Sequence, residues 1–470
     1  MTRGLLITWW VALALAGCGG VNGGASGLGA TPGGAQDIEL ARDKIAKGIV
    51  PVPEDFVVEG LLAQHDLPLA GPPCEQTLCL RLATGIAPTP DLGRQAAFVQ
   101  VGFTSNVDPD TFHRKPLDAA LVIDRSCSMV GEPIEAVKEA ARRLVGKLDG
   151  NDTFSLVIFD DKVDTLVKQT SAGNHAALLK AIDTIGERGS TCIECGLKEG
   201  YKQLATRPVE EGRARRLFLF TDAMPNVGAT GEGEFMDLVR SHATQGRDMT
   251  LFGVNVAFGQ ELVTKLSAVR GANSLYLANA ERLRTVFDEE FDYLVTPVAY
   301  DLKLALTPAP GFQVEAVYGL PGVEPGAPRA SLEVGTVFLS RRRGAILARL
   351  STPENVPPHQ SVLTGAFSFQ PIEGEAPAVT LEASYEGSTP LQTTASWYAQ
   401  RSVRKAVALT NFILGARQAC GLWRTGARGE AHALADRTAA LLRDEAEALD
   451  DGPLRTEAEL ARKLAALLVP

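Results

Sequence analysis

Between residues 118 and 295, short apolar runs alternate with amphipathic stretches, and few folds accept that order. The runs are "AALVID" (119–124), "TFSLVIFD" (153–160), "RRLFLFTD" (215–222), "MTLFGVNV" (249–256) and "SLYLA" (274–278). Apolar residues at helical spacing fill "GEPIEAVKEAARRLVGKL" (131–148), "HAALLKAIDTI" (175–185) and "CGLKEGYKQLA" (195–205). Further helical stretches lie near 233–245, in "QELVTKLSAV" (260–269) and in "AERLRTVFDEEFDYLV" (280–295). Fully apolar strands separated by helices predict an α/β fold: a doubly wound, mostly parallel sheet covered on both faces. "KVDTLV" (162–167) reads as a hairpin partner of 153–160. Such sheets gather ligands at the carboxyl ends of their strands, and Asp124 and Asp222 stand at two of them.

After residue 296 the texture changes to period-two runs broken by Pro and Gly. "AYDLKLAL" (299–306), "FQVEAVY" (312–318), "LEVGTVFL" (332–339), "AILARL" (345–350), "QSVLTGAFSF" (360–369) and "AVTLEASY" (378–385) predict an antiparallel β-sandwich domain over 297–394. "QAAFVQVGF" (95–103) has the same look. Residues 95–116 are therefore expected to join that sheet, with the α/β unit (117–296) inserted into the β domain. Residues 395–470 form a C-terminal helical segment, with stretches near 395–420, 429–449 and 455–468 expected to pack on the body. Residues 37–94 show no clear pattern.

The chain starts "MTRGLLITWWVALALAGCGG": one early Arg3, an apolar stretch from Leu5 to Ala16, then "LAGC" ending at Cys18. This is the layout of a secretory signal, too short for a comfortable membrane span. "LAGC" resembles the bacterial lipobox, in which the signal is cut before a Cys that carries lipid. That resemblance implies removal of residues 1–17 and a lipid anchor at Cys18, which needs no spanning helix. Gly19 in place of Asp fits the usual sorting pattern for the outer membrane, on its periplasmic or surface side. Residues 18–36 are Gly-rich and read as a flexible tether. The formal net charge of −10 becomes −11 without residues 1–17, which hold one Arg and no acid. With "RRR" (341–343) as the longest basic run, nucleic-acid binding is excluded.

"DRSCSM" (124–129) presents Asp124, Ser126 and Ser128 at alternate positions just beyond a buried strand. A hard divalent cation takes oxygen ligands, and Mg²⁺ wants near-octahedral geometry with waters retained. Two further loops supply oxygens: Thr191 in "GSTCIECGL", just before a helix, and Asp222 in "LFTDAMPN". A D-x-S-x-S match alone is weak, but three pieces in order, each at a strand end or helix start, are specific. With these pieces, residues 117–295 resemble the von Willebrand factor type A domain, a Rossmann-like fold, and its metal-ion-dependent adhesion site. The family's D-x-S-x-S stands here as Asp124, Ser126 and Ser128, its Thr before the third helix as Thr191, and its "TD" as Thr221 and Asp222. The resemblance implies that Ser126, Ser128 and Thr191 touch Mg²⁺ (or Mn²⁺ or Ca²⁺), while Asp124 and Asp222 act largely through water. One coordination position would stay open for an Asp or Glu of a protein partner. The order of lipobox, type A domain, sandwich and C-terminal helices is similar to bacterial lipoproteins that carry such domains.

The family usually has Gly where this chain has Cys127, and the Thr191 loop adds Cys192 and Cys195. Because the resemblance puts both loops on one ion, a Cys127–Cys192 bridge clamping them is the favoured expectation. A local Cys192–Cys195 bond at a helix start and free thiols remain open. Cys74 and Cys79, among prolines in a segment with little core, predict a stapled loop, and Cys420 a buried helix thiol. Enzyme readings find little to stand on. The six histidines are scattered without H-E-x-x-H, no G-x-S-x-G elbow surrounds Ser126 or Ser128, and Ser126 stands where aspartyl phosphatases place a second Asp. The expectation is a membrane-anchored adhesion or protein-binding module. The alternatives are an envelope assembly or scaffold protein with a structural metal and a metal-dependent phosphohydrolase.

Overall fold

A computed structural model of the chain describes residues 28–32, 38–222, 232–254, 262, 265–266, 268–277, 279–319, 329–372, 377–392 and 395–469. The expected signal, Cys18 and half of the expected 260–269 helix lie outside these residues. The expected tether needs one correction. Its residues Gly29–Pro32 are a strand, β1, with Ala30 opposite Leu339 and Gly29 opposite Thr104. Ala30 is fully buried, so a small-residue composition that reads as flexible is captured by the sheet around it.

Residues 37–94 also fold beyond what their pattern reveals. They form helices α1 (Glu39–Ala46) and α2 (Val58–Gln64), then strand β2 (Cys79–Thr89). β2 turns through Gly93, at φ +64°, and pairs along its length with β3 (Arg94–Thr104). A Cys74–Cys79 disulfide staples the loop before β2, as expected.

The α/β unit follows. Its strands are β4 (Leu117–Asp124), β5 (Thr153–Phe159), β6 (Val163–Ser171), β7 (Ala214–Thr221), β8 (Asp248–Val254) and β9 (Ala272–Leu277). Its helices are α3 (Glu132–Lys147), α4 (His175–Asp183), α5 (Ile193–Ala205), α6 (Glu232–Ala243) and α7 (Ala280–Arg284), the last continuing through a π-helical turn into α8 (Phe291–Leu294). The sheet order is β6-β5-β4-β7-β8-β9, parallel except for the antiparallel edge strand β6. β4 is buried along its whole length because helices cover both faces. Leu121 and Ile123 meet Val137, Leu144 and Phe287 on one side; Ala120 and Val122 meet Leu197 and Tyr201 on the other. α5 lies unusually close to the sheet. A Cβ on Gly196 would fall 2.4 Å from the Phe159 ring, and one on Gly200 would fall 2.4 Å from Val122.

Beyond Thr296 come β10 (Pro297–Pro308), β11 (Gln313–Tyr318), β12 (Ala330–Ser340), β13 (Ala345–Ser351), β14 (Asn355–Val356), β15 (Ser361–Pro371), β16 (Ala378–Ser384), β17 (Leu391–Gln392) and β18 (Trp397–Tyr398). One antiparallel sheet runs β11-β13-β3-β1-β12-β10-β15-β16, with β2 beside β3. It folds over into a sandwich: a Cβ on Gly365 of β15 would meet Leu82 of β2 at 3.3 Å. β3 pairs with β13 from Ala96↔Ser351 to Gly102↔Ala345, so the α/β unit sits between two segments of one sheet. It docks by the amino ends of its strands. Gly271 N–H donates to Thr336 Oγ1 at 2.6 Å, and the buried Arg216, paired with Asp248 at 3.1 Å, lies over the Phe338 ring. The carboxyl ends, with Asp124 and Asp222, are left on the side away from the sandwich.

Helices α9 (Arg401–Arg424), α10 (Arg428–Leu449) and α11 (Gly452–Leu467) close the chain. α9 starts later than expected because Trp397 and Tyr398 pair with Ile86 and Gly85 of β2. Phe412, Ile413, Leu434 and Leu464 share one core with Leu61 and Leu62 of α2 and with Phe98 and Leu347 of the sheet. Cys420 is buried in that layer, and burial pushes its thiol up to about 12.

Candidate functional site

β4 lies between β5 and β7, so the chain leaves it toward one side of the sheet and returns on the other. That reversal opens a crevice at the carboxyl ends of β4 and β7. Asp124, the last residue of β4, is fully buried there. Its Oδ1 accepts the Ser126 N–H at 2.9 Å, and its Oδ2 accepts the Thr221 hydroxyl at 2.6 Å. Residues Cys127–Met129 then form a 3₁₀ turn, closed by the Met129 N–H on Ser126 O at 2.9 Å and anchored by the buried Met129. The turn brings the hydroxyls of Ser126 and Ser128 to 3.0 Å, and Ser128 donates to Asp222 Oδ1 at 2.8 Å. Asp124, Ser126, Ser128 and Asp222 are therefore brought together, with Thr221 joining them. Thr191 is half-buried between two pins on its loop: Gly189 O accepts the Cys127 N–H at 3.1 Å, and the Cys192 N–H donates to Asp160 O at 2.8 Å.

Burial pushes the Asp124 carboxyl above the usual range, and the charge of Asp222 pushes the same way. The Thr221 hydroxyl and the Ser126 amide and hydroxyl pull it down without reversing the shift. Among the described residues no Lys or Arg pairs with Asp124. Two carboxylates and several hydroxyls converging without a cation of their own are a donor set that fits a hard divalent ion. Among the described residues no three His, Cys, Asp or Glu side chains cluster as a metal cage, so the fit rests on hydroxyl oxygens as much as on carboxylates.

The family description of the von Willebrand factor type A domain matches residues 119–225, which run from β4 past Thr191 to Asp222. The α/β unit is a von Willebrand factor type A domain. An uncharacterized protein of Synechocystis sp. is 30% identical over 222 residues, covering 46% of this chain and 50% of that protein. The inter-alpha-trypsin inhibitor heavy chain H1 of Sus scrofa is 26% identical over 212 residues, covering 42% of this chain and 22% of its own length. The chain thus spans half or less of the length of these relatives. A solved von Willebrand factor type A structure from Catenulispora acidiphila aligns with a TM-score of 0.50 at 13% identity, covering 85% of this chain and 90% of that one. At that identity the likeness shows the fold alone, but it extends beyond the type A domain to most of the chain.

The type A domain corrects the favoured cysteine pairing. Cys192 bonds to Cys195, one turn along the start of α5, while Cys127 is a free, exposed thiol. The reason is register. The Cys127 amide lies against Gly189, three residues before Cys192, and Cys192 is held instead against Asp160 at the end of β5. The site also includes residues that the motif did not single out. Arg125, inside D-x-S-x-S, lies 2.8 Å from Asp160 and bonds Asp164 at 2.5 Å; Arg188 bonds Asp160 Oδ2 at 2.9 Å. One signal was available: Asp160 stands directly after a parallel strand, as Asp222 does.

Proposed function

We propose that the type A domain is a metal-dependent adhesion or protein-binding module, held at the bacterial envelope by a lipid anchor on Cys18. The observation that carries this reading is the meeting of Asp124, Ser126, Ser128 and Asp222, with Thr221, in one crevice where, among the described residues, no Lys or Arg pairs with Asp124. Ser126, Ser128 and Thr191 would hold a Mg²⁺ or Mn²⁺ directly, and Asp124 and Asp222 would hold it through water. The bound ion would supply a positive centre able to take a carboxylate oxygen from an Asp or Glu of a partner protein. Hydroxyl ligands are neutral, so they leave the ion most of its charge. The net charge of −11 left after removal of residues 1–17 disfavours acidic partners that do not reach the ion, which makes capture selective. This is a binding role rather than a catalytic one. The anchor rests on "LAGC"; among the described residues no helix is long and apolar enough to cross a membrane.

Capture of envelope proteins by the full chain tests the reading. It should be lost with EDTA, restored by Mg²⁺ and absent in Asp124→Ala. Equal capture with and without EDTA would overturn the metal-dependent role. For the anchor, Cys18→Ser should leave the membrane fraction on a carbonate wash; retention there would overturn the lipid attachment.

A further inference from the structure

Of the three loops that form the site, two, the Ser126–Ser128 turn and the Thr191 loop, are joined by one residue that the motif does not include. Asp160, just beyond β5, is fully buried. Its Oδ1 accepts the Lys162 N–H at 2.7 Å, which shapes the turn into β6. Its Oδ2 accepts the Arg188 Nε–H at 2.9 Å and lies 2.8 Å from Arg125 Nε. Its backbone oxygen accepts the Cys192 N–H at 2.8 Å, next to Thr191. The two arginines also sit on loops that bond each other directly, Arg188 N–H to Arg125 O at 2.7 Å and Cys127 N–H to Gly189 O at 3.1 Å. Gly189 has φ +75°, and a Cβ there would fall 2.3 Å from Asp161 Oδ1, so this loop is pressed onto the turn that Asp160 shapes.

We propose that Asp160 is the positioning residue of the site: it sets the distance between the Ser126–Ser128 turn and the Thr191 loop, and with it the affinity for a divalent metal. This rests on the metal reading above. Asp160 is not a ligand itself, because both its carboxylate oxygens are occupied by the loops. Its charge matters as well as its shape. Arg125 is nearly buried and lies inside the metal-binding turn; without the opposing carboxylate its guanidinium would repel an incoming cation. Partners that orient metal ligands without touching the metal typically change its affinity by about ten- to a hundredfold.

The test compares Mn²⁺ affinity, by calorimetry on the full chain, with amide exchange measured without metal. Asp160→Asn should weaken Mn²⁺ by about ten- to a hundredfold and speed exchange at Cys192 and Lys162, while β4 and β7 stay protected. Arg188→Met, on an exposed side chain, should weaken Mn²⁺ by about tenfold through loss of one charge-assisted hydrogen bond. Asp164→Asn touches the same two arginines from an exposed position and should cost less than about threefold. If Asp160→Asn binds Mn²⁺ as tightly as Asp164→Asn, or leaves exchange at Cys192 unchanged, the positioning role is overturned and the metal site stands. If Asp160→Asn does not fold, Arg188→Met against Asp164→Asn decides by the same comparison. A wild type that takes up no Mn²⁺ would overturn the metal reading and this inference with it.

Discussion

Thr221 donates its hydroxyl to Asp124 Oδ2 at 2.6 Å, and neither residue has any exposure. The bond ties the carboxyl ends of the parallel strands β4 and β7 at the point where the strand order reverses. It also aims the other carboxylate oxygen at the Ser126 amide, which sets the turn that carries both serines.

Removing this tie should loosen the site without emptying it. Thr221→Val is expected to weaken Mn²⁺ by about tenfold, and Asp124→Ala to remove most binding. Calorimetry checks both. Equal affinity in wild type and Asp124→Ala would sink the site assignment.

The approach of α5 to the sheet should be intolerant of a single methyl group. Gly196→Ala forces a Cβ to 2.4 Å from the Phe159 ring and should cost about 1–3 kcal/mol in urea unfolding. Gly146, inside α3, has nothing within 4 Å of an added Cβ. Gly146→Ala should therefore be neutral or stabilise by up to about 1 kcal/mol, as helix propensity predicts. A similar effect from both would refute the close-packing account.

Acid sensitivity should trace partly to Asp152. Its carboxylate accepts two bonds from Arg114, at 2.9 and 2.6 Å, and the amides of Leu117 at 2.7 Å and Asp149 at 2.8 Å, fixing the entry to β4. Burial alone would raise this carboxyl, but the Arg114 hydrogen bonds, the two amides and the Arg114 charge hold it below the usual range. A depressed folded value means the unfolded chain binds the proton more readily. The stabilisation is thus present above the unfolded value, about pH 4, and is lost as pH falls through the lower folded value. Asp152→Asn should cost about 2 kcal/mol at neutral pH and flatten the fall in stability below about pH 4. Denaturant unfolding across pH checks this; parallel curves for the two proteins would rule it out.

Cysteine chemistry should follow the loop register. Non-reducing peptide mapping is expected to find the 74–79 and 192–195 crosslinks, with Cys127 alkylated in native protein and the buried Cys420 protected. Because Cys127 is exposed and unbridged, Cys127→Gly should change Mn²⁺ affinity by no more than about twofold, as for an ordinary surface substitution. A 127–192 crosslink would contradict the register of Gly189 against Cys127.

Local properties of the chain were readable before folding. Apolar runs such as "AALVID" have no polar side to expose, so they must be strands covered on both faces, and D-x-S-x-S must follow the carboxyl end of one of them. That placed Asp124 and Asp222 at the carboxyl ends of two strands of one sheet, with Ser126 and Ser128 just beyond the first; that the two strands are neighbours came from the fold. Tertiary structure decided what depends on register between segments far apart in sequence. Whether Cys127 faces Cys192 or Gly189 depends on a slip of three residues between loops more than sixty residues apart, which no local pattern records. The same holds for Gly29–Pro32, a strand only because β12 and β3 leave a slot that small residues fill, and for α1 and α2, which bury their apolar faces against helices from the other end of the chain. Asp160 belongs with these: its strand-end position is local, but the two arginines that make it a hub arrive from other loops, and only folding brings their charges onto one buried carboxylate.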